Sequence, residues 1–465
     1  MPFHERSFLW TLASGALLTA AWASASDAQV LAVGSAVMPD TPAAVGPVPL
    51  SMDVAPLVVA LPPLSAEERA QVEHLRSWDG PLRLGFGRTV RERTAALDAA
   101  EEASWRPTST GRHAIAWRVT SPGAVGLRLA VLPRRLPDDA LVWAYAPGKP
   151  AGPPISGSEI NASLRRNLDA GAADDAAALF WMPLTLGDTV SLQVELPAGA
   201  SPTAVAVEPA QLSHIFRLPF LEEPDRIDPA TDRACSQRWD AASRATALLL
   251  FTDADGATGA CTGTLVNDAD PDTFIPHVLT AHHCFHDQVR ASSIESLWFL
   301  RPETCAGHVG AYAAVSGGAD VLRVAKSTDT SLLRLRRPPA ADAVFIGLHP
   351  DLPPIGAELA SLHHPLAGRQ RVAVGVVSQY LNCADVANCA DGADPDAIHF
   401  VRLDRRQGAT RAGSSGCGLF TPSQQLVGVL LGGSDEGDAV PSFDYYGRLD
   451  VPSLRRWLGV GGSAN

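Results

Sequence analysis

The stretch Leu279-Thr280-Ala281-His282-His283-Cys284 decides the reading of this chain. A short apolar run ends in two histidines and a cysteine, which puts imidazole groups where a strand gives way to a loop. Successive side chains of a strand point to opposite faces, so one histidine can serve a site as base and the other is its neighbour. Zinc ligation fits poorly, because adjacent His-His-Cys lacks the usual ligand spacing. The cysteine is better used in a disulfide, and Cys261-Thr262-Gly263-Thr264-Leu265-Val266 offers a partner upstream. A Cys261–Cys284 bridge would clamp the loop that carries the base.

Working outward, Ser327-Thr328-Asp329-Thr330-Ser331-Leu332-Leu333 sets a carboxylate just ahead of an apolar strand. Partly buried there, Asp329 could hold an imidazole in one tautomer and stabilise the imidazolium. Gly413-Ser414-Ser415-Gly416 then presents a hydroxyl in a tight turn. A serine hydroxyl is a poor nucleophile until a base takes its proton. The amides of Gly413 and Ser415 are natural donors to an oxyanion. Each motif alone is weak: Gly/Ser turns are common, and a lone Asp before a strand is usually a turn residue. Their order changes that. Histidine, aspartate and serine, with gaps of 46 and 86 residues counted from His283, follow the chymotrypsin order rather than that of subtilisin or the α/β-hydrolases.

The 465 residues leave room for two or three domains, and 46% of them are hydrophobic. A formal net charge of −13 argues against nucleic acid or an anionic membrane surface as partner. Phe8 to Trp22 is apolar and is followed by Ala23-Ser24-Ala25, which predicts a signal peptide over residues 1–25 and a secreted or periplasmic protein without a membrane span. All seven cysteines fall after residue 230, so in an oxidising compartment the later half is the disulfide-braced unit, with one thiol left over.

Residues 29–63 are rich in Ala, Pro and Val without periodicity and read as linker, with a short helix around Glu67 to Leu75. Residues 26–105 are thus linker and the start of a pro-region. From 106 to 220 alternation takes over, as in Ile115, Trp117 and Val119, in Leu127, Leu129 and Val131, and in Val190, Leu192, Val194 and Leu196. That predicts a small β-rich pro-domain. After the polar junction Glu222–Asp232, short strands return between Gly- and Pro-marked turns, and a helix capped by Asp450 runs to Leu458. The expected fold over 230–465 is all-β, a chymotrypsin-like double β-barrel closed by a C-terminal helix.

From Cys235 to Leu458 the chain resembles bacterial lysyl endopeptidases, chymotrypsin-fold proteases that cut after lysine. The resemblance is carried by Cys-Thr-Gly-Thr-Leu-Val-Asn at 261–267, Leu-Thr-Ala-His-His-Cys at 279–284, His-His-Pro at 363–365, Gly-Ser-Ser-Gly at 413–416 and Asp-x-Tyr-Gly-Arg at 444–448. Phe180-Trp181-Met182-Pro183 and Gly187-Asp188 resemble the pro-regions of such enzymes. The family pattern selects His283 over His282 as base and implies a Cys235–Cys305 bridge. It puts the acid of the primary pocket at Asp444, whereas the trypsin position, six residues before the nucleophile, holds Ala409. The pattern also has a histidine before the pocket-lining Gly-Gly, where this chain has Leu431 before Gly432-Gly433. The family's further bridge from its N-terminus has no matching cysteines. Cys383 and Cys389 are close enough for a local bridge, and Cys417 remains as a buried, inert thiol.

The resulting expectation is a monomeric serine endopeptidase precursor with a His283, Asp329 and Ser415 triad, using neither metal nor organic cofactor. Its partners are protein or peptide substrates and its own pro-domain. The residue before the cut is expected to be basic, lysine before arginine. The near-absence of lysine, with only Lys149 and Lys326 in the chain, would protect a lysine-cutting enzyme from itself. The alternatives are another primary specificity or an inactive, peptide-binding relative.

Overall fold

The computed structural model describes residues 35–37, 55–77, 82–90, 105–108, 111–197, 199–222, 238–268, 270, 273–302, 304, 309–349, 351–391, 398–434 and 442–449. The expected signal peptide, the C-terminal helix from Asp450 and the Cys235–Cys305 bridge lie outside the described residues.

The upstream unit contains β1 (Leu57–Ala60), α1 (Ala66–Ser77), β2 (Arg83–Thr89), β3 (His113–Thr120), β4 (Gly126–Arg135), β5 (Leu141–Tyr145), α2 (Gly157–Asp169), β6 (Thr189–Leu196) and β7 (Ala206–Ile215). The alternating residues of β3, β4 and β6 meet in one core, each at most 1% exposed. Strand period two thus assigns one face of each strand to the interior. β6 runs antiparallel between β3 and β5, while β7 joins β4 to β2. α1 starts on a capping box: the Ser65 hydroxyl accepts from the Glu68 N–H at 3.1 Å and the Glu68 carboxylate accepts from the Ser65 N–H at 2.7 Å. Strand β1 falls inside the stretch read as linker. It pairs parallel with β3 and buries Val59 while leaving Val58 exposed. Four residues are too few for a periodic signal.

The downstream unit opens with β8 (Thr246–Thr252), β9 (Thr258–Val266), β10 (His277–Ala281), β11 (Glu295–Trp298), β12 (Ala319–Ala325) and β13 (Thr330–Leu335), hydrogen-bonded in the order β11-β8-β9-β10-β13-β12. β14 (Glu358–His363), β15 (Arg371–Asp385), β16 (Asn388–Asp391), β17 (Phe400–Gln407), β18 (Gly418–Phe420), β19 (Leu426–Gly433) and β20 (Phe443–Arg448) form the second set. Its order β14-β18-β19-β20-β17-β15 closes on itself because β14 also pairs with β15, and β16 extends β15 as a hairpin. This is the double-barrel architecture expected from the sequence. Val266, Leu279 and Leu332 of the first barrel pack with Leu362, Phe420 and Val429 of the second in one buried cluster.

The two units share a sheet. β2 pairs antiparallel with β9, Arg83 opposite Gly259 and Gly85 opposite Thr258. Behind it, the fully buried Arg128 of β4 donates to the Thr252 hydroxyl at 2.8 Å and to the Ser293 carbonyl at 2.6 Å, and Glu295 accepts from the Leu184 N–H at 2.8 Å. Burial lowers the Arg128 pKa and raises that of Glu295, and each charge opposes the shift of the other.

Candidate active site

His283 follows β10 and Asp329 precedes β13. These strands pair with Ala281 opposite Thr330, so the register alone brings their ends together. Asp329 sits in the left-handed region with φ 46° and ψ 43°. That turn aims its carboxylate back along β10: Oδ1 accepts from the His283 N–H at 2.9 Å, and Oδ2 lies 2.7 Å from His283 Nδ1. Asp329 is 6% exposed, while His283 stays accessible. Its neighbour His282 reaches no closer than 4.0 Å to the same carboxylate and turns towards His286, ring centroids 5.7 Å apart. Burial lowers the His282 pKa. Cys284 is bonded to Cys261 of β9, which ties this loop to the first barrel.

Ser415 lies in the turn before β18. Gly413 and Gly416 adopt φ of 91° and 83°, and a Cβ at Gly416 would come within 2.5 Å of the Thr262 carbonyl oxygen. Both positions therefore require glycine. The Thr262 hydroxyl donates to the Gly413 carbonyl at 2.9 Å, and the Thr262 N–H to the Ser415 carbonyl at 2.8 Å. With these carbonyls held back, the N–H groups of Gly413 and Ser415 have no acceptor among the described residues. Ser414 points the other way, its hydroxyl 2.8 Å from Nδ1 of buried His363 and accepting from the Arg411 N–H at 3.1 Å.

His283, Ser415, Gly413, Leu431 and Gly432 line one cleft of about 730 Å³. His282 does not line it, and neither does Asp444. Asp444 is wholly buried on β20: Oδ1 accepts from the Thr410 hydroxyl at 2.6 Å and from Arg405 Nη1 at 3.2 Å, and Oδ2 from the Tyr446 hydroxyl at 3.4 Å. Burial raises its pKa to about 6, against the pull of Arg405. Cys383 and Cys389 are bonded, and Cys417 is a free, buried thiol whose pKa burial pushes up, which keeps it unreactive. A Cβ at Gly447, in the Asp-x-Tyr-Gly-Arg motif, would overlap the Thr328 carbonyl oxygen. That glycine lets β20 approach the Asp329 loop.

The sequence reading missed three neighbours of the site. Arg405 is one of several arginines in a row, His363 appeared only within a family motif, and Leu82 carried no signal. Leu82 and Arg83 of the upstream unit line the cleft, and a Cβ at Gly413 would lie 2.8 Å from Leu82 Cδ2.

Residues 228–447 match the family model for the lysyl endopeptidase C-terminal domain, and residues 60–216 the model for its N-terminal domain. A lysyl endopeptidase of Pseudomonas aeruginosa is 27% identical over 92% of this chain and 93% of its own length. Among solved structures, the Rv3671c protease from M. tuberculosis in its active form is 14% identical, over 52% of this chain and 96% of its own, with a TM-score of 0.33. The HtrA-type protease AlgW with tripeptide is 16% identical, over 45% and 58%, with a TM-score of 0.31. The family matches define the class, a serine endopeptidase of the trypsin and chymotrypsin fold. Within it, the chain belongs to the lysyl endopeptidase-like proteases.

Proposed function

We propose that the protein is an exported endopeptidase precursor that hydrolyses peptide bonds through an acyl-enzyme on Ser415, with His283 as general base and Asp329 as its orienting carboxylate. The observation that carries this is the 2.7 Å contact of His283 Nδ1 with Asp329 on a cleft shared with Ser415. Nδ1–H donates to Asp329, so Nε2 is left to accept the Ser415 proton as Oγ attacks the carbonyl carbon. The imidazolium then protonates the leaving amine, and water repeats the sequence to release the acid. The amides of Gly413 and Ser415 are placed to hold the oxyanion. Residues before about 220 act as a pro-region, since Leu82 and Arg83 stand in the cleft.

A basic residue before the cut, lysine first, is the preference that the family carries, and it rests on Asp444. The contact of Asp444 with Arg405 favours a second reading, in which that residue is uncharged. The activity itself is tested with a fluorophosphonate. Attachment at Ser415, abolished in His283→Ala, is expected; a folded protein that takes no label is an inactive peptide-binding relative.

A further inference from the structure

Leu403 of β17 pairs with Asp444 of β20. Strand period two puts the Arg405 side chain on the same face as Leu403, beneath Asp444. The guanidinium does not line the cleft itself; it lies behind Thr410, which does. The Arg405 side chain is 1% exposed; Nη1 donates to Asp444 Oδ1 at 3.2 Å and to the Thr410 hydroxyl at 2.9 Å, and Nη2 to the Ser434 carbonyl at 2.9 Å. Asp444 therefore already has its cation. A substrate ammonium could reach the carboxylate only by displacing Arg405, which would strand a buried guanidinium. With Arg405 in place, it would meet a neutral pair behind Thr410.

The residues that line the cleft agree with this. Among the described residues no aspartate or glutamate lines it, while Arg411 does and, among the same residues, pairs with no carboxylate. Leu431 stands where the lysyl endopeptidase pattern has histidine. Val386, at the tip of the hairpin bridged by Cys383–Cys389, packs on Gly432, where a Cβ would lie 2.7 Å from its Cγ2.

We infer that Arg405 is the specificity-determining residue of the primary pocket: by holding Asp444 it removes the selection for a cation, so that the enzyme cuts after uncharged, apolar side chains. This rests on the endopeptidase reading above. The test uses protein expressed as the full chain and then processed, with labelling of Ser415 by a fluorophosphonate checked on a separate sample, on a mixed peptide library, with the residue before each cut read by mass spectrometry. Cuts mainly after Leu, Met, Phe or other uncharged residues are expected. In Arg405→Met the lysine-to-leucine ratio of kcat/KM should rise at least ~10-fold, and in Arg405→Lys it should stay near wild type. A wild type that labels at Ser415 in a parallel sample but cuts mainly after lysine, arginine, aspartate or glutamate overturns the pocket assignment alone. So does a folded Arg405→Met that labels in a parallel sample and shows an unchanged ratio. Failure to label Ser415 overturns the activity as well. The wild-type digest decides the matter even if the Met variant does not fold.

Discussion

The hydroxyl of Ser414 and Nδ1 of His363 lie 2.8 Å apart, and neither side chain touches solvent. Trypsin-type zymogens carry an aspartate just before the nucleophile and switch on when a new N-terminal ammonium inserts beside it. Here the residue in that place is neutral and already bonded. The turn that offers the Gly413 and Ser415 amides is thus held from within. Protein processed to remove residues 29–216, but carrying extra residues ahead of Cys235, should keep its activity in a peptide assay. Inactivity reversed only by exposing one particular N-terminus would count against this.

The burial of His363 and its neighbour His364 has a pH signature. Burial lowers the pKa of His363 to about 3 and that of His364 to about 4, both from 6.5. Between those values and 6.5 the unfolded chain binds more protons than the folded one, so stability rises with pH across this window. It is lost as pH falls from 6.5 towards 4, at up to about 1.4 kcal/mol per pH unit for each histidine. Melting temperatures of Ser415→Ala protein, which cannot digest itself, should fall steeply over that range. His363→Gln should flatten the slope; an unchanged slope would assign the effect elsewhere.

Removing a member of the proposed triad should leave the fold intact and lower kcat by about 10⁴- to 10⁶-fold for Ser415→Ala and His283→Ala, and by about 10⁴-fold for Asp329→Asn. His282→Ala should cost less than about 10-fold, because its ring does not line the cleft. If His282→Ala is the inactive variant and His283→Ala is not, the base has been misassigned.

Leu82 is 5% exposed and packs on the turn beside the nucleophile. In the unprocessed chain, Leu82→Ala should raise the rate of fluorophosphonate labelling at Ser415 several-fold without changing the final extent. A rate equal to that of the unsubstituted precursor would show that this contact does not shield the site.

The Cys261–Cys284 bridge closes a separation of 23 residues around the loop that carries His283. Replacing both cysteines by alanine should cost about 3 kcal/mol in urea unfolding. Activity should fall alongside, through a less ordered His283. Loss of stability with full kcat would mean that the loop is positioned by β10 and β13 alone.

Much of this was legible in the chain itself. His283 follows an apolar run, Asp329 precedes one and Ser415 sits in a Gly-Ser-Ser-Gly turn, so local pattern was enough to place each of them on a loop, and their order to read them together. The strands of the upstream core announced themselves through alternation at Ile115–Val119 and Val190–Leu196. Arg405 was not legible. Arg402, Arg405 and Arg406 share one strand, and which of them turns inward depends on the register of that strand with β20, which brings Asp444, 39 residues away, to Arg405. Val386 and Leu82 were hidden for the same reason: both act across contacts with residues distant in sequence, and neither carries a chemical signature of its own.

If the upstream unit is the proposed pro-region, the pairing of β2 with β9 makes its removal a question of sheet edges. While the upstream unit is attached, the backbone of β9 at Thr258 and Gly259 is matched by Gly85 and Arg83. Loss of that strand would leave a short run of unpaired amides and carbonyls at the rim of the cleft, beside Ala260 and Cys261. An open edge of this kind accepts any extended chain that can reach it, whatever its side chains. The catalytic unit would gain a place to grip the backbone of its substrate at the moment it lost its partner, and it would be most prone to self-association in that interval.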